Sequence, residues 1–213
     1  MRNALFLSAA LLLGAPAFAA DQPPPTPAPT VLPHGTSDYT RAVAGDYTLD
    51  SRHVGVIASV SHMGFSLSIF RFGDVTGKLT WDPAAPEKST LSATVKTASI
   101  ETNVPDFAQS LAGPRFLNAA QFPDATFVST KFQKTDATHG KVTGNFTLKG
   151  KTATVVFDVT LVGAGPGFAG GPAMGHVIGI HAEGFINPQD YDMGPFFKDT
   201  IKLTIDTEFD HKA

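Results

Sequence analysis

His62 is the polar residue whose position most directly suggests chemistry, because it ends an apolar strand face. Val56, Ala58 and Val60 recur at every second position before it, and side chains two residues apart in a strand lie on the same face. Burying an unpaired imidazole on such a face would be costly. His62 is therefore predicted to be either a core histidine hydrogen-bonded to backbone or to a carboxylate, or a polar group at the mouth of a cavity that orients a ligand head.

The other histidines and carboxylates give little support for catalysis. His181 and Glu183 share a strand face and could bind a metal ion together, but that face is predicted to point outward. The sequence contains no cysteine, which excludes thiolate ligands and a cysteine nucleophile. It also lacks a Gly-x-Ser-x-Gly segment and a glycine-rich phosphate loop before a helix. We therefore predict no metal site and no enzymatic activity.

Alternation of apolar and polar residues predicts that strands position these side chains. From Val142 to Leu148, and again from Val155 to Leu161, apolar residues recur at a period of two around a turn at Gly150. Many such segments in series are typical of a sheet that closes around an apolar interior. The pattern changes between Val104 and Phe122, where helical spacing predicts a short insert. The predicted fold class is all-β, an antiparallel barrel of about eight to ten strands with a short helical insert.

Composition predicts where the folded part begins. A short basic start and an apolar run from Ala4 to Leu13 precede small residues at Ala17-Phe18-Ala19, which predicts a secretory signal peptide over residues 1–19. Proline, threonine and alanine dominate residues 20–44, which predicts a disordered tether. The barrel is then expected over residues 45–213.

The charge balance and the signal peptide restrict the partners and the location. A formal net charge of -3 at pH 7 argues against nucleic acid as a partner. No stretch after the signal peptide approaches the roughly 20 apolar residues that a membrane-spanning helix needs. We expect an exported, soluble protein of the periplasm without stable membrane insertion, and the sequence leaves a homodimer open.

Aromatic content raises the question of whether the barrel is hollow. The chain has 17 phenylalanines against 3 tyrosines and 1 tryptophan, and small barrels are either filled by side chains or hold one small ligand. Small residues among the apolar positions, such as Ala58, Ala93, Gly77 and Gly144, are compatible with a tunnel. A solid core fits the same pattern equally well.

Several ordered motifs resemble those of the YceI-like family. They are Tyr47-x-Leu49-Asp50-x-x-His53, Val60-x-His62-x-Gly64, Ser99-Ile100-x-Thr102-Asn103, Phe122-Pro123-x-Ala125-Thr126-Phe127 and Gly144-x-Phe146-Thr147-Leu148. The resemblance covers the whole expected folded part of the chain. It implies an exported, lipocalin-like barrel with an elongated apolar cavity that binds polyisoprenoid chains, such as quinone or isoprenoid tails, or fatty amides.

The predicted function is binding of a long isoprenoid-type or other amphiphilic lipid, as a carrier or a store. No cofactor is required, and the bound molecule would be a polyisoprenoid or quinone-like lipid. We expect Phe116 and Leu117 of the insert to close one end of the cavity and His62 to lie near the lipid head. The other predicted lining residues are Val56, Ala58, Val60, Phe65, Leu67, Leu79, Trp81, Phe127, Phe146 and Phe157.

Two alternatives stay open at this point. One is a barrel enzyme that acts on a lipid or quinone through His62 and a nearby acid. The other is a stress-response protein whose barrel is filled by its own side chains and holds no ligand.

Overall fold

The structure of the protein is a computed structural model that describes residues 32–167 and 175–212. The predicted signal peptide, the first part of the predicted tether (residues 20–31) and residues 168–174 lie outside the described residues. Within the described ranges, no helix is long and apolar enough to cross a membrane.

Ten strands and one short α-helix form the regular structure of the described residues, together with single turns of 3₁₀ helix. They are β1 (Gly45–His62), β2 (Ser66–Phe72), β3 (Val75–Trp81), β4 (Thr90–Lys96), β5 (Ile100–Glu101), α1 (Phe107–Ala112), β6 (Asp124–Lys134), β7 (His139–Leu148), β8 (Lys151–Pro166), β9 (His176–Ile186) and β10 (Ile201–His211). The helix lies within the predicted insert.

Eight of the strands close into an antiparallel barrel. They follow one another in the order β10-β9-β8-β7-β6-β4-β3-β1, and β1 completes the ring by pairing with β10. β2 pairs with the C-terminal half of β1, and β5 pairs with β2 over two residues only, so both extend the wall at one end. The predicted all-β antiparallel barrel with a short helical insert is confirmed.

A bulge interrupts the pairing of β1 with β10. The register shifts between Leu49 and Val54, where residues 50–53 of β1 oppose the single residue Glu208 of β10. Extra residues in one strand bend it and increase its local twist. The bulge also brings the imidazole of His53 next to Glu208 on the outside of the barrel.

Glycines on β7 and β9 make room for aromatic rings in the barrel interior. The rings of Phe127 and Phe157 meet edge to face, with centroids 5.3 Å apart. A Cβ atom at Gly144 would lie 2.6 Å from Cε2 of Phe127, and one at Gly184 would lie 2.7 Å from Cδ1 of Phe157. Gly144 therefore lies beneath a ring, whereas the sequence pattern suggested that it lines a tunnel.

The end of the barrel at which β1 finishes is covered by the chain itself. Leu111 of α1, Leu117 and Met193 are all buried in one core cluster with residues of the barrel wall such as Leu148 and Ile201. This end is therefore closed by apolar side chains.

A segment preceding β1 packs on the opposite end. Thr36 forms a bridge with Ala164 of β8, and Ala42 is 1% exposed. The hydroxyl of buried Tyr47 donates a hydrogen bond to the backbone oxygen of Val43 at 2.8 Å. The prediction of a disordered tether up to residue 44 is therefore wrong for its last part, because this segment finds backbone and apolar partners on the barrel.

Candidate functional site

The barrel encloses two adjoining cavities. The larger has a volume of about 240 Å³ and extends from the end at which β6 and β7 meet. The smaller, of about 100 Å³, lies beneath α1. Both cavities are lined by the apolar side chains of Val56, Val95, Phe146 and Leu203. The two cavities therefore adjoin at these four residues. Together they reach the lower end of the roughly 300–1,000 Å³ that is typical of ligand pockets.

Most of the predicted lining residues lie in these walls. Those that line the larger cavity are Val56, Leu79, Trp81, Phe127, Phe146 and Phe157. Those that line only the smaller cavity are Ala58, Val60, Phe116 and Leu117. The facing predicted from strand alternation is therefore correct for β1, β3, β6, β7 and β8, and Phe116 and Leu117 lie at the closed end as expected.

The hairpin between β1 and β2 does not line either cavity, contrary to prediction. Phe65 and Leu67 are 86% and 62% exposed, and His62 is exposed as well. Directly paired residues of neighbouring strands lie on the same face. Because Val60 faces the cavity and pairs with Ser68, the even-numbered residues of β2 face inward and Leu67 faces outward.

The hairpin also extends beyond the closed part of the barrel. The last pairing of β1 with β10 joins Ser59 to Lys202, so His62 and Phe65 lie past the rim, where there is no interior to face. His62, which is predicted to lie near a lipid head, is therefore outside both cavity walls. Neither interpretation of His62, as a bonded core histidine or as a group at a cavity mouth, fits an exposed side chain at this end.

The polar residues of the larger cavity gather at the opposite end, which we name the mouth. They are Tyr39, Gln133, Lys134, Asp136, Thr138, His139 and Lys141, and the buried Thr207 of β10 also lines this cavity. Of those at the mouth, one comes from the segment preceding β1, and the others come from the end of β6, its turn into β7 and the start of β7. These residues could not be predicted from the sequence, because strand alternation does not say which loop covers a barrel end. The one available signal was a polar turn between two strongly alternating strands.

An aromatic ring and a lysine meet at the mouth. Lys134 Nζ donates a hydrogen bond to the hydroxyl oxygen of Tyr39 at 2.7 Å and lies 4.1 Å from the centroid of its ring. The same ring meets Trp81 edge to face, at a centroid distance of 6.4 Å. The indole N–H of Trp81 is buried and has no hydrogen-bond partner among the described residues.

The carboxylate at the mouth is engaged within its own turn. Oδ1 of Asp136 accepts hydrogen bonds from the amides of Thr138 and His139, each at 2.8 Å, and lies 3.0 Å from Nδ1 of His139. The Thr138 amide and the His139 imidazole and amide lower the pKa of Asp136 to about 2. Its charge therefore stabilises the turn from β6 to β7.

A second polar cluster lies at the bulge of β1. The Asp50 side chain is 6% exposed, and the guanidinium of Arg52 contacts both of its oxygens, at 2.9 and 2.6 Å. Nδ1 of His53 lies 2.9 Å from Asp50 and 3.7 Å from Glu208. Single ligand atoms of Asp50, His53 and Glu208 come within 4.8 Å of one another. Because Arg52 already occupies both oxygens of Asp50, we describe this cluster as a group of ion pairs.

These contacts shift two pKa values in opposite directions. Hydrogen bonds from Arg52 hold the pKa of Asp50 well below its usual 3.8, and the Asp50 carboxylate raises the pKa of His53 above its usual 6.5. The contribution of Asp50 to stability is thus present above pH 3.8 and is lost as the pH falls through its lowered pKa. The contribution of His53 is present below pH 6.5 and is lost as the pH rises through its raised pKa.

Replacing Asp50 with asparagine should lower the pKa of His53 toward 6.5, because the hydrogen-bonded carboxylate is the main cause of the increase. NMR titration of the histidine ring protons measures this directly. His181 is the internal control, since Asp206 raises its pKa and is unchanged in the variant. An unaltered His53 titration in Asp50→Asn would mean that the contact does not form in solution.

His181 and Glu183 lie on the outer face of β9, within a network of charges. Nδ1 of His181 lies 2.8 Å from Asp206, and Nζ of Lys202 lies 2.5 Å from Glu183. Each group therefore has an oppositely charged or hydrogen-bonding neighbour on β10.

The fold and the cavity together define a class of protein, the lipocalin-like antiparallel barrel with an apolar interior. The YceI-like domain matches residues 47–209, and the chain belongs to the YceI-like family. A UPF0312 protein from Pseudomonas putida (strain W619) is 35% identical over 172 residues, which are 79% of this chain and 88% of that protein.

Solved structures share the same barrel. The Campylobacter jejuni YCEI protein, known from a crystal structure, is 28% identical in sequence to this chain. The two structures superpose with a TM-score of 0.63, and the match covers 72% of this chain and 91% of that one. A polyisoprenoid binding domain from Saccharophagus degradans is 12% identical, with a TM-score of 0.52, over 78% of this chain and 98% of that domain. The second likeness is one of fold alone.

Proposed function

We propose that this protein binds a lipid with a long apolar tail, isoprenoid-type or another amphiphile, inside its barrel. The pair of adjoining cavities carries the proposal, because their walls are almost wholly apolar away from the mouth. Among the described residues, Thr97 is the one polar side chain in the wall of the smaller cavity, and its hydroxyl already donates to the backbone oxygen of Phe122. A hydrocarbon tail fits such a lining, whereas a polar substrate would find few partners.

The energetics favour a tail that reaches through both cavities. Each buried methylene contributes about 0.8 kcal/mol, so ten contribute about 8 kcal/mol. Association costs about 4–15 kcal/mol in lost translational and rotational freedom. Ten methylenes therefore offset this cost only toward the lower end of that range. A tail that passes Phe146 and Leu203, which line both cavities, would bury more methylenes and bind more tightly than one confined to the larger cavity.

The geometry supports binding over the two alternatives. The cavities count against a barrel filled by its own side chains. His62 is exposed and belongs to neither cavity wall, which counts against an enzyme that uses it. We therefore propose a binding protein without catalytic activity.

A domain of similar fold and the N-terminal sequence support the proposed ligand class and location. The domain from Saccharophagus degradans shares this fold and is described as polyisoprenoid binding, which supports an isoprenoid-type ligand here. The predicted signal peptide over residues 1–19 supports export to the periplasm. In that compartment the protein would act as a carrier or a store for its lipid.

Mass spectrometry of organic extracts tests the proposal. The protein is expressed with its own N-terminal segment in a Gram-negative host, recovered from the periplasmic fraction and extracted. We expect an isoprenoid-type or fatty lipid to be recovered, and the delipidated protein to take up such a lipid in vitro. No co-purified lipid together with no uptake would contradict the proposal.

The exposed hairpin supplies a matched control for the uptake experiment. Phe65→Ser removes a large apolar side chain that is 86% exposed, so uptake should not change. Loss of uptake in this variant would place the lipid on the hairpin instead of in the barrel.

A further inference from the structure

We propose that the mouth of the larger cavity recognises a lipid head group that carries an anionic oxygen, either a carboxylate or a phosphate. The residues responsible are Tyr39, Trp81 and Lys134, which we name the mouth group. The inference rests on the proposed function, since it states how the bound lipid is oriented: its tail points toward α1 and its head lies at the mouth.

The two ends of the paired cavities differ in polarity, and this difference sets the orientation. The closed end is lined by apolar side chains and by Thr97, whose hydroxyl is already hydrogen-bonded. The mouth carries Lys134, Gln133 and the polar turn from β6 to β7. Burying a charged or strongly polar head at the closed end would leave it unpaired at a large cost. An amphiphile therefore enters tail first and leaves its head at the mouth.

Trp81 supplies a donor that has no partner in the part of the chain that the structure describes. Its side chain lines the larger cavity, and its indole N–H is buried without a hydrogen bond to any described residue. Buried donors in folded proteins are nearly always paired, and an unpaired one costs free energy. An acceptor oxygen on a bound head group would satisfy this donor.

Lys134 supplies the charge. Its ammonium group donates to the hydroxyl of Tyr39 and forms no ion pair among the described residues. An ammonium group carries three donors, so two of them are available to a ligand at the mouth. The Asp136 carboxylate nearby is engaged by Thr138 and His139. Lys141, the other lysine that lines this cavity, is paired with Asp158, which leaves Lys134 as the lysine available to a ligand.

Tyr39 holds the other two members of the mouth group in place. Its ring contacts both Trp81 and the Lys134 ammonium group. A cation over an aromatic face is attracted to it, which keeps the charge beside the cavity. Trp81 and Lys134 thus both contact this one ring, so a donor and a positive charge lie at the same end of the cavity.

Dissociation constants for three amphiphiles with the same hexadecyl-length chain test the inference. They are palmitate, hexadecyl phosphate and hexadecyltrimethylammonium, each measured below its micelle concentration by displacement of a fluorescent fatty probe. The delipidated wild-type protein should bind one or both anions about tenfold more tightly than the cation, as expected for a charge-assisted hydrogen bond. The ratio of palmitate to hexadecyl phosphate affinity shows which anion fits the mouth.

Two substitutions locate the preference. Trp81→Phe keeps an aromatic ring and removes the donor, and Lys134→Met removes the charge. Each should reduce the ratio of anion to cation affinity severalfold. Lys131→Met is the matched control, because Lys131 is an exposed lysine of the same strand that does not line the cavity. Its preference should equal that of the wild type.

The outcomes separate this inference from the proposed function. Equal binding of anions and cation by the wild type, or an undiminished preference in both mouth variants, overturns the inference and leaves tail binding in the barrel intact. Failure of the wild type to bind any of the three amphiphiles overturns the proposed function and this inference with it.

Discussion

Replacing Ala182 with phenylalanine should weaken lipid binding about a hundredfold and leave the barrel folded. Ala182 is buried and lines the larger cavity, so a ring at this position takes up space that a tail would otherwise fill. If the ring displaces about four methylenes, the lost burial is about 3 kcal/mol, which corresponds to about a hundredfold in Kd. Displacement of a fluorescent lipid measures the loss, and thermal unfolding should show an unchanged or higher Tm because the ring fills a cavity.

A ring on the outer face is the matched control. Val156 of β8 is 44% exposed, so Val156→Phe adds aromatic bulk outside the barrel and should leave Kd close to that of the wild type. If folded Ala182→Phe bound lipid as tightly as the wild type, the tail would not occupy the larger cavity. The proposed function would then need another site.

Replacing Gly144 with valine should destabilise the barrel by about 2 kcal/mol, which lowers Tm by about 4–8 °C. The new Cβ atom would lie 2.6 Å from both Cε2 of Phe127 and the backbone oxygen of Val128. The ring could turn away, but the backbone oxygen belongs to the ladder between β6 and β7 and cannot move without breaking pairings. Chemical and thermal unfolding measure the change.

Gly55 of β1 offers the control for this prediction. A Cβ atom there would meet nothing within 4 Å, and a β-branched residue suits a strand. Gly55→Val should therefore keep or raise the free energy of unfolding. Equal loss of stability in both variants would show that the ring contact at Gly144 is not the cause.

Strand alternation alone predicted which residues of the barrel wall face inward. A strand places alternate side chains on opposite faces, so the facing of Val56 and Phe157 follows from local sequence once the sheet closes. The same rule failed in the hairpin between β1 and β2, where the apolar residues Phe65 and Leu67 are exposed. The tight turn at Met63 and Gly64 set the register there, and register decides which face each residue joins.

The sequence by itself therefore determined the fold class, the family and the apolar character of the barrel interior, because these depend on periodicity and on motifs within short segments. The tertiary structure alone decided that the interior is hollow, since the remaining volume depends on how rings such as Phe127 pack over glycines on other strands. It also decided where the polar mouth lies. Tyr39, Trp81 and Lys134 are far apart in the chain and meet only because the barrel closes and the segment preceding β1 folds across one of its ends.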